Sequence, residues 1–273
     1  MVPAAVLTWI PVVLLLDRGA SMTQQRLLGV GTWLLLLALL WRKDSRTRAQ
    51  VAVVVAFATA VEYCFAGWLG VYVYRLHDVP WFVPPGHGLV YLGALAIGRS
   101  AYAAKHARWL VPATLTVGGG YALWGLALSG RRDVLGAFWF ACLVFFLVRG
   151  RRRSNARTPT GQNLVFVGAF VVVTYLELLG TSLGTWTWQV RDPILGIVAM
   201  GNPPSGAAGG YGFFDAAALA FAPRLLALLA RIKLPVPAWS VGRLGPRGER
   251  AQDLLVQQPV RAHHAAAVGT GDA

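Results

Sequence analysis

The sequence predicts an all-α fold: a polytopic membrane bundle of about eight transmembrane helices, built by an internal parallel duplication of four helices plus four. Three observations carry that expectation. Hydrophobic residues make up 56% of the 273-residue chain and charged residues only 13%, against about 25% charged in ordinary soluble domains, so most of the chain must face lipid or a membrane-buried core. The apolar runs are far longer than the ~10 residues of a membrane barrel strand and period-2 alternation is scarce, which favours helices. Finally, the stretch Glu62–Tyr91 recurs more loosely as Glu177–Tyr211, beginning 115 residues downstream. Glu62 matches Glu177, Gly70 matches Gly184, Tyr72 and Tyr74 match Trp186 and Trp188, Asp78 matches Asp192, and Pro84-Pro85 matches Pro203-Pro204.

A spanning helix needs about 20 mostly apolar residues, fewer where protein shelters its ends. On that rule spans are expected near 3–16, 26–41, 50–72, 86–100, 108–129, 134–149, 162–184 and 207–230. The first is short, but it lacks the basic n-region and small-residue cleavage site of a signal peptide. The third and seventh carry the repeated glutamates, and the Pro-Pro pairs precede the fourth and eighth. An even offset of four spans makes the halves, residues 1–105 and 106–232, enter the membrane in the same direction, related by a pseudo-twofold axis along its normal. Residues 233–273 are mixed in composition and unpatterned, and read as a disordered tail.

The formal net charge of +14 is set aside as a nucleic-acid signal because its Lys and Arg gather in short loops between apolar runs and in the tail, the positive-inside pattern. Arg42, Lys43, Arg46 and Arg48 follow the second span, Arg99, Lys105 and Arg108 the fourth, and Arg149, Arg151, Arg152, Arg153 and Arg157 the sixth. Arg131 and Arg132 run against the rule. Both termini are expected in the cytoplasm, in a bacterial cytoplasmic membrane. Cys64 and Cys142 lie in apolar runs without metal-ligand spacing, and no metal site or cofactor is expected.

Two intramembrane acids at matching positions of a repeat are the strongest chemical signal. An ionised side chain at the bilayer centre costs at least ~2.5 to 3.5 kcal/mol unless it faces a polar cavity. Glu62 and Glu177 are therefore candidate proton donor and acceptor, or else interhelical ties. Asp215 is a third intramembrane acid. Arg75, His77 and Asp78, and Gln189, Arg191 and Asp192, form loop clusters that either bind an anionic head group or pair with one another. His87, in PPGHGLVY, is suited to proton exchange near neutral pH or to hydrogen bonding at a helix entry. Trp68, Tyr72, Tyr74, Trp81, Trp186 and Trp188 read mostly as an interfacial aromatic belt, although aromatic faces beside a buried acid also suit a passing carbocation.

The segment GTWTWQVRDPILGIVAMGNPP, from Gly184 to Pro204, resembles the heterodimeric-type membrane lycopene cyclases. The preceding ELLGTSLG is similar to the glutamate and Gly-Thr motif of the related membrane carotenoid hydratases. The likeness covers about thirty residues of the second half and, more faintly, thirty of the first. It implies a small helical membrane enzyme that protonates a double bond of a long isoprenoid without a metal, giving cyclisation, isomerisation or hydration. Where those cyclases have Pro-Glu-Glu this chain reads Pro203-Pro204-Ser205-Gly206, so only Glu177 and, by repeat, Glu62 carry over onto a matching acid. Catalytic residues are then expected at Glu62, Glu177, His87, Asp78 and Asp192. Substrate contacts are expected at Tyr72, Tyr74, Arg75, Trp186, Trp188, Arg191 and Asp215, with a membrane lipid or lipophilic substrate as partner. Two other functions fit the same pattern: a proton-coupled transporter, with its acids near the midplane, and a structural or assembly subunit.

Overall fold

The computed structural model describes residues 1–153 and 162–231; the tail and part of the sixth-to-seventh loop, with Arg157, lie outside the described residues. Eight helices appear in chain order: α1 (Val2–Asp17), α2 (Met22–Leu40), α3 (Ser45–Glu62), α4 (Val83–Gly98), α5 (Ala101–Ala127), α6 (Val134–Arg153), α7 (Gln162–Ser182) and α8 (Ala207–Arg231). Among the described residues five segments are long and apolar enough to cross a membrane: Met22–Leu40, Ser45–Trp68, Ala101–Ala127, Leu164–Ser182 and Ala207–Arg231. Their exposed leucines, valines and aromatics, such as Leu27, Leu34 and Leu37 of α2, give the outer surface the character of a membrane protein's.

Local chemistry sets the helix starts. Ser21 and Gln24 form a reciprocal capping box at α2. The Asp44 and Ser100 side chains accept the first free backbone amides of α3 and α5. Pro84 and Pro85 occupy the first turn of α4, where a missing N–H costs nothing.

Two expectations change at the end of α3. The helix does not run to residue 72. It stops at Glu62, widens into one π-helical segment, Tyr63–Trp68, and turns at Gly70, whose φ of 66° favours glycine. The chain is also not purely helical. Tyr72–Tyr74 (β1) pairs antiparallel with Trp186–Trp188 (β2), and β2 follows a second positive-φ glycine, Gly184. Tyr-Val-Tyr and Trp-Thr-Trp have the two-residue period that puts both aromatics of each strand on one face. In register Tyr72 faces Trp188, Val73 faces Thr187 and Tyr74 faces Trp186.

Four helices, α3, α4, α7 and α8, make the centre, with α4 against α7 and α3 against α8 the most extensive contacts. Backbones meet where glycine leaves room: a Cβ on Gly98 would lie 2.6 Å from the Leu164 carbonyl carbon, and one on Gly168 2.5 Å from the Ala94 oxygen. Buried Val172 and Val173 continue that seam.

Gly168→Ala is expected to force α4 and α7 apart at an overpacking cost of about 1–3 kcal/mol. The thermal midpoint of the detergent-solubilised protein should fall, whereas Gly120→Ala, with open space at its Cβ, should leave it unchanged or raised.

Candidate functional site

The ribbon hangs over the C-terminal ends of α3 and α7 and turns its four aromatics onto the two glutamates. Glu62, the last residue of α3, is buried. Its Oε2 accepts hydrogen bonds from the Tyr72 and Tyr74 hydroxyls, both at 2.8 Å. Its Oε1 lies 2.8 Å from His87 Nε2. His87 Nδ1 lies in turn 2.7 Å from the Tyr211 hydroxyl on α8. The tautomer with its proton on Nε2 satisfies both contacts: the imidazole donates to the carboxylate and accepts from the tyrosine. His87 also packs against Tyr211 and Phe214, which holds the ring in that plane.

Glu177, on α7, is served differently. Trp186 Nε1 and Trp188 Nε1 donate to the same oxygen, Oε2, at 3.1 and 3.2 Å. Among the described residues no protein group hydrogen-bonds its Oε1. Gly180, one turn onward, lies under the Trp186 ring, which leaves no space for a Cβ.

Both carboxyls border one apolar cavity of about 570 Å³. Its wall holds Glu62, Glu177, Asp192 and His87 as ionisable groups, together with the four ribbon aromatics, Tyr211 and Trp139, and it contains no Lys or Arg among the described residues. Tyr72, Tyr74, Trp186 and Trp188 are thus buried ligands of the acids, where the sequence favoured an interfacial belt. Trp68 and Trp81, by contrast, are exposed, and Trp81 receives the Arg26 guanidinium over its ring.

The remaining candidates are placed outside this cluster. Asp78 is exposed and accepts from the Val79 amide. Arg75 pairs with Asp17 at 3.4 Å and donates to the Ala20 carbonyl at 2.8 Å. Arg191 is exposed and donates to the Gly196 carbonyl. Asp215 is buried beside Tyr91 and does not reach the cavity wall. Asp192 borders the cavity, but its oxygens are occupied by the Leu195, Gly196 and Val198 amides. Among the described residues no three His, Cys, Asp or Glu side chains come close enough to share a metal ion.

Sequence reasoning missed Tyr211, Asp17 and Asp133. Asp133, fully buried before α6, accepts from the Gly136, Gly201 and Ser205 amides and the Ser205 hydroxyl at 2.6–2.8 Å. It fastens the segment that leads into α8. Asp17, equally buried, accepts from Gln25 at 2.7 Å as well as from Arg75. Asp17 ends α1 and Asp133 directly precedes α6, 133 − 17 = 116 residues apart, nearly the 115 of the glutamates, which was the available signal.

Fold and site together define a mostly helical chain of membrane-protein character, with two carboxyls held by aromatic donors on one apolar cavity. Comparison with known protein families, characterised proteins and solved structures returns no match.

The backbone amides of Leu195 and Val198, with those of Gly196 and Ile194, hold the Asp192 carboxyl below the usual carboxylate range against a smaller opposing effect of burial. The folded form binds that proton less readily than the unfolded one. The ordering it supplies is therefore complete above the ordinary aspartate value and lost as pH falls through the depressed one. Hydrogen exchange at the Leu195 and Val198 amides should accelerate over that acidic range relative to Asp192→Asn, which should lack the transition.

Proposed function

We propose that the chain is an integral membrane enzyme that acts on a lipophilic, isoprenoid-like lipid by protonation, giving cyclisation, isomerisation or hydration. In this reading all eight helices span a bacterial cytoplasmic membrane with both termini inside, as two four-helix halves, 1–105 and 106–232. The ribbon supports the halves. Exchanging each strand's residues for their sequence counterparts turns the Tyr72–Trp188 pair into the Trp186–Tyr74 pair, the relation a twofold axis requires. The helix contacts agree, because α3 on α8 and α7 on α4 are counterpart pairs.

The observation that carries the enzyme reading is the unequal treatment of the two carboxyls on one cavity. Glu62 receives donors on both oxygens, the arrangement that suits an anion. Glu177 gathers both indoles on Oε2 and keeps Oε1 for a proton not committed to the protein. Glu177 is then the acid and the Glu62–His87 pair the base. The O–H bond of Glu177 breaks as a C–H bond forms at one carbon of a substrate double bond, leaving a cation at the other. The Glu177 carboxylate left behind stays held by two indole N–H groups. Closure follows either by loss of a proton from the cation to the Glu62–His87 pair or by addition of water, whose proton goes to the same pair. Aromatic faces of Tyr72, Trp186 and Trp188 shield the cation meanwhile. A wall with acids and no Lys or Arg favours an uncharged substrate over a diphosphate ester.

Glu62→Gln and Glu177→Gln are each expected to fold and to lower turnover by about 10²-fold or more, as for removal of a general acid or base. Mass spectrometry of total lipid from cells expressing wild type and the double variant reads the reaction. A wild-type-only lipid of unchanged mass and altered retention means isomerisation or cyclisation, and one heavier by a water means hydration. Identical extracts from folded proteins would sink the enzyme and favour the transporter, and a fall in stability alone would favour acids that only tie helices together.

A further inference from the structure

A buried reaction site in a membrane needs a route for its substrate, and the cavity wall shows one. Most wall positions are sealed: Leu89 and Val90 on α4 are 3% and 2% exposed. Phe57 of α3 and Phe65 of the π-helical segment that continues it are different. Both border the cavity, yet they are 40% and 41% exposed on the outer surface. With Val61 between them, also on the wall, they stand at four-residue steps and so form one stripe along the helix. Across from this stripe lies α8, whose Phe214 meets Phe57 edge to face at 5.4 Å between ring centres. Phe213, beside it, is both exposed and on the wall.

From these positions we propose that the outer half of the α3–α8 seam is a lateral opening, through which a hydrocarbon chain passes from the bilayer into the cavity. The inference rests on the lipophilic-substrate reading above and adds the route. Below the opening the same two helices close on small and β-branched residues, Val54 on α3 and Ala218 and Ala222 on α8, all fully buried. The seam therefore opens only at the level of the carboxyls. The counterpart seam, α4 against α7, is shut by backbone contact at Gly98 and Gly168 and by Val172 and Val173 above them. Phenylalanine suits such an opening because its ring turns about two side-chain bonds, and it exposes no polar atom to lipid when it does. The occupant is a hydrocarbon chain because Phe57, Val61, Phe65, Phe213 and Phe214 at the seam are all apolar and the wall carries no Lys or Arg among the described residues. The other exposed wall residue, Ile194, lies in the loop between β2 and α8 and borders the alternative route, from the aqueous side.

The test uses the full chain in phosphatidylcholine vesicles mixed with a hexadecane chain that carries a diazirine, irradiated at intervals and mapped by peptide mass spectrometry. Labelling of the ribbon peptide around Trp186 and Trp188 reads entry, and labelling of α2 around Leu34 and Leu37 serves as the lipid-facing control. The double variant Phe57→Trp, Phe65→Trp should slow ribbon labelling several-fold with the control unchanged. Phe65→Ala, which widens the seam, should speed it, and Ile194→Trp should leave it at the wild-type rate. Slowing by Ile194→Trp alone, or a ribbon that never labels in wild type, would overturn the opening. Because labelling reads entry and not turnover, an inactive protein whose ribbon labels through the seam removes the enzyme reading and leaves the route standing. An active one indifferent to Phe57 and Phe65 does the reverse.

Discussion

A carboxyl inside an apolar bundle must be given hydrogen-bond donors, and much of this structure follows from how that requirement is met. No Lys or Arg reaches the cavity among the described residues, so the donors are phenol, indole and imidazole groups. The phenols and indoles are large, mostly apolar side chains with one polar atom each, and they cover the acid while they satisfy it. Their placement needs a backbone that presents two aromatics on one face two residues apart, and a strand does that where a helix cannot. Hence each glutamate helix ends within a few residues of its acid, turns at a positive-φ glycine and continues as a three-residue strand. An isolated two-stranded ribbon is marginal in water. Here the glutamates hold it as much as it holds them.

The ribbon is braced by two more buried acids. Asp133 gathers three backbone amides and a hydroxyl, which fixes the chain leading into α8 and so the position of Tyr211. Asp17 engages Arg75, one residue beyond β1, and Arg131 donates to the Trp188 carbonyl from the other side. Of the loop residues that looked like a head-group site, Arg75 is spent on this bracing. Arg75 is committed to Asp17 and a backbone carbonyl, and Asp78, Arg191 and Asp192 engage nearby backbone groups, which leaves the open cavity to Glu62, Glu177, His87 and the aromatics.

Much of this was legible in the sequence because hydrophobic run length is a strong signal. The eight apolar runs correspond to eight helices, displaced mainly where charged or small residues extend a helix past its apolar part, as Ala101 to Ala107 do at the start of α5. The matched Glu62 and Glu177 stood out because charge is rare in such runs, and Gly70 with Gly184 because both precede alternating aromatics. What was not legible depends on contacts distant in sequence. Tyr211 meets His87 across 124 residues and Ser205 meets Asp133 across 72. A tyrosine within an apolar helix or an aspartate in a short loop carries no local sign of such a partner. The aromatic belt was misjudged for a related reason: at the end of a membrane helix, composition alone does not separate a tryptophan lying at the lipid interface from one turned inward onto an acid. Trp68 and Trp188 share a residue type and a place at the end of a glutamate helix, yet one is exposed and the other buried.

In the proposed duplication the halves have diverged where it matters chemically. Two equivalent glutamates in one cavity would compete for the same protonation state, and neither would be set as donor or acceptor. The chain breaks that equivalence with few differences. Tyrosines stand on one strand and tryptophans on the other, and a histidine on α4 has no counterpart on α8. A tyrosine hydroxyl can give and take a proton, while an indole N–H only donates. The half with tyrosines and histidine therefore starts a path along which a proton can move, from Glu62 through His87 to Tyr211 of the other half. The half with tryptophans has a fixed cradle that steadies a charge without accepting the proton. In the proposed enzyme a duplicated scaffold thus supplies two matched positions, and the choice of aromatic at each strand decides which carboxyl releases a proton and which one receives it.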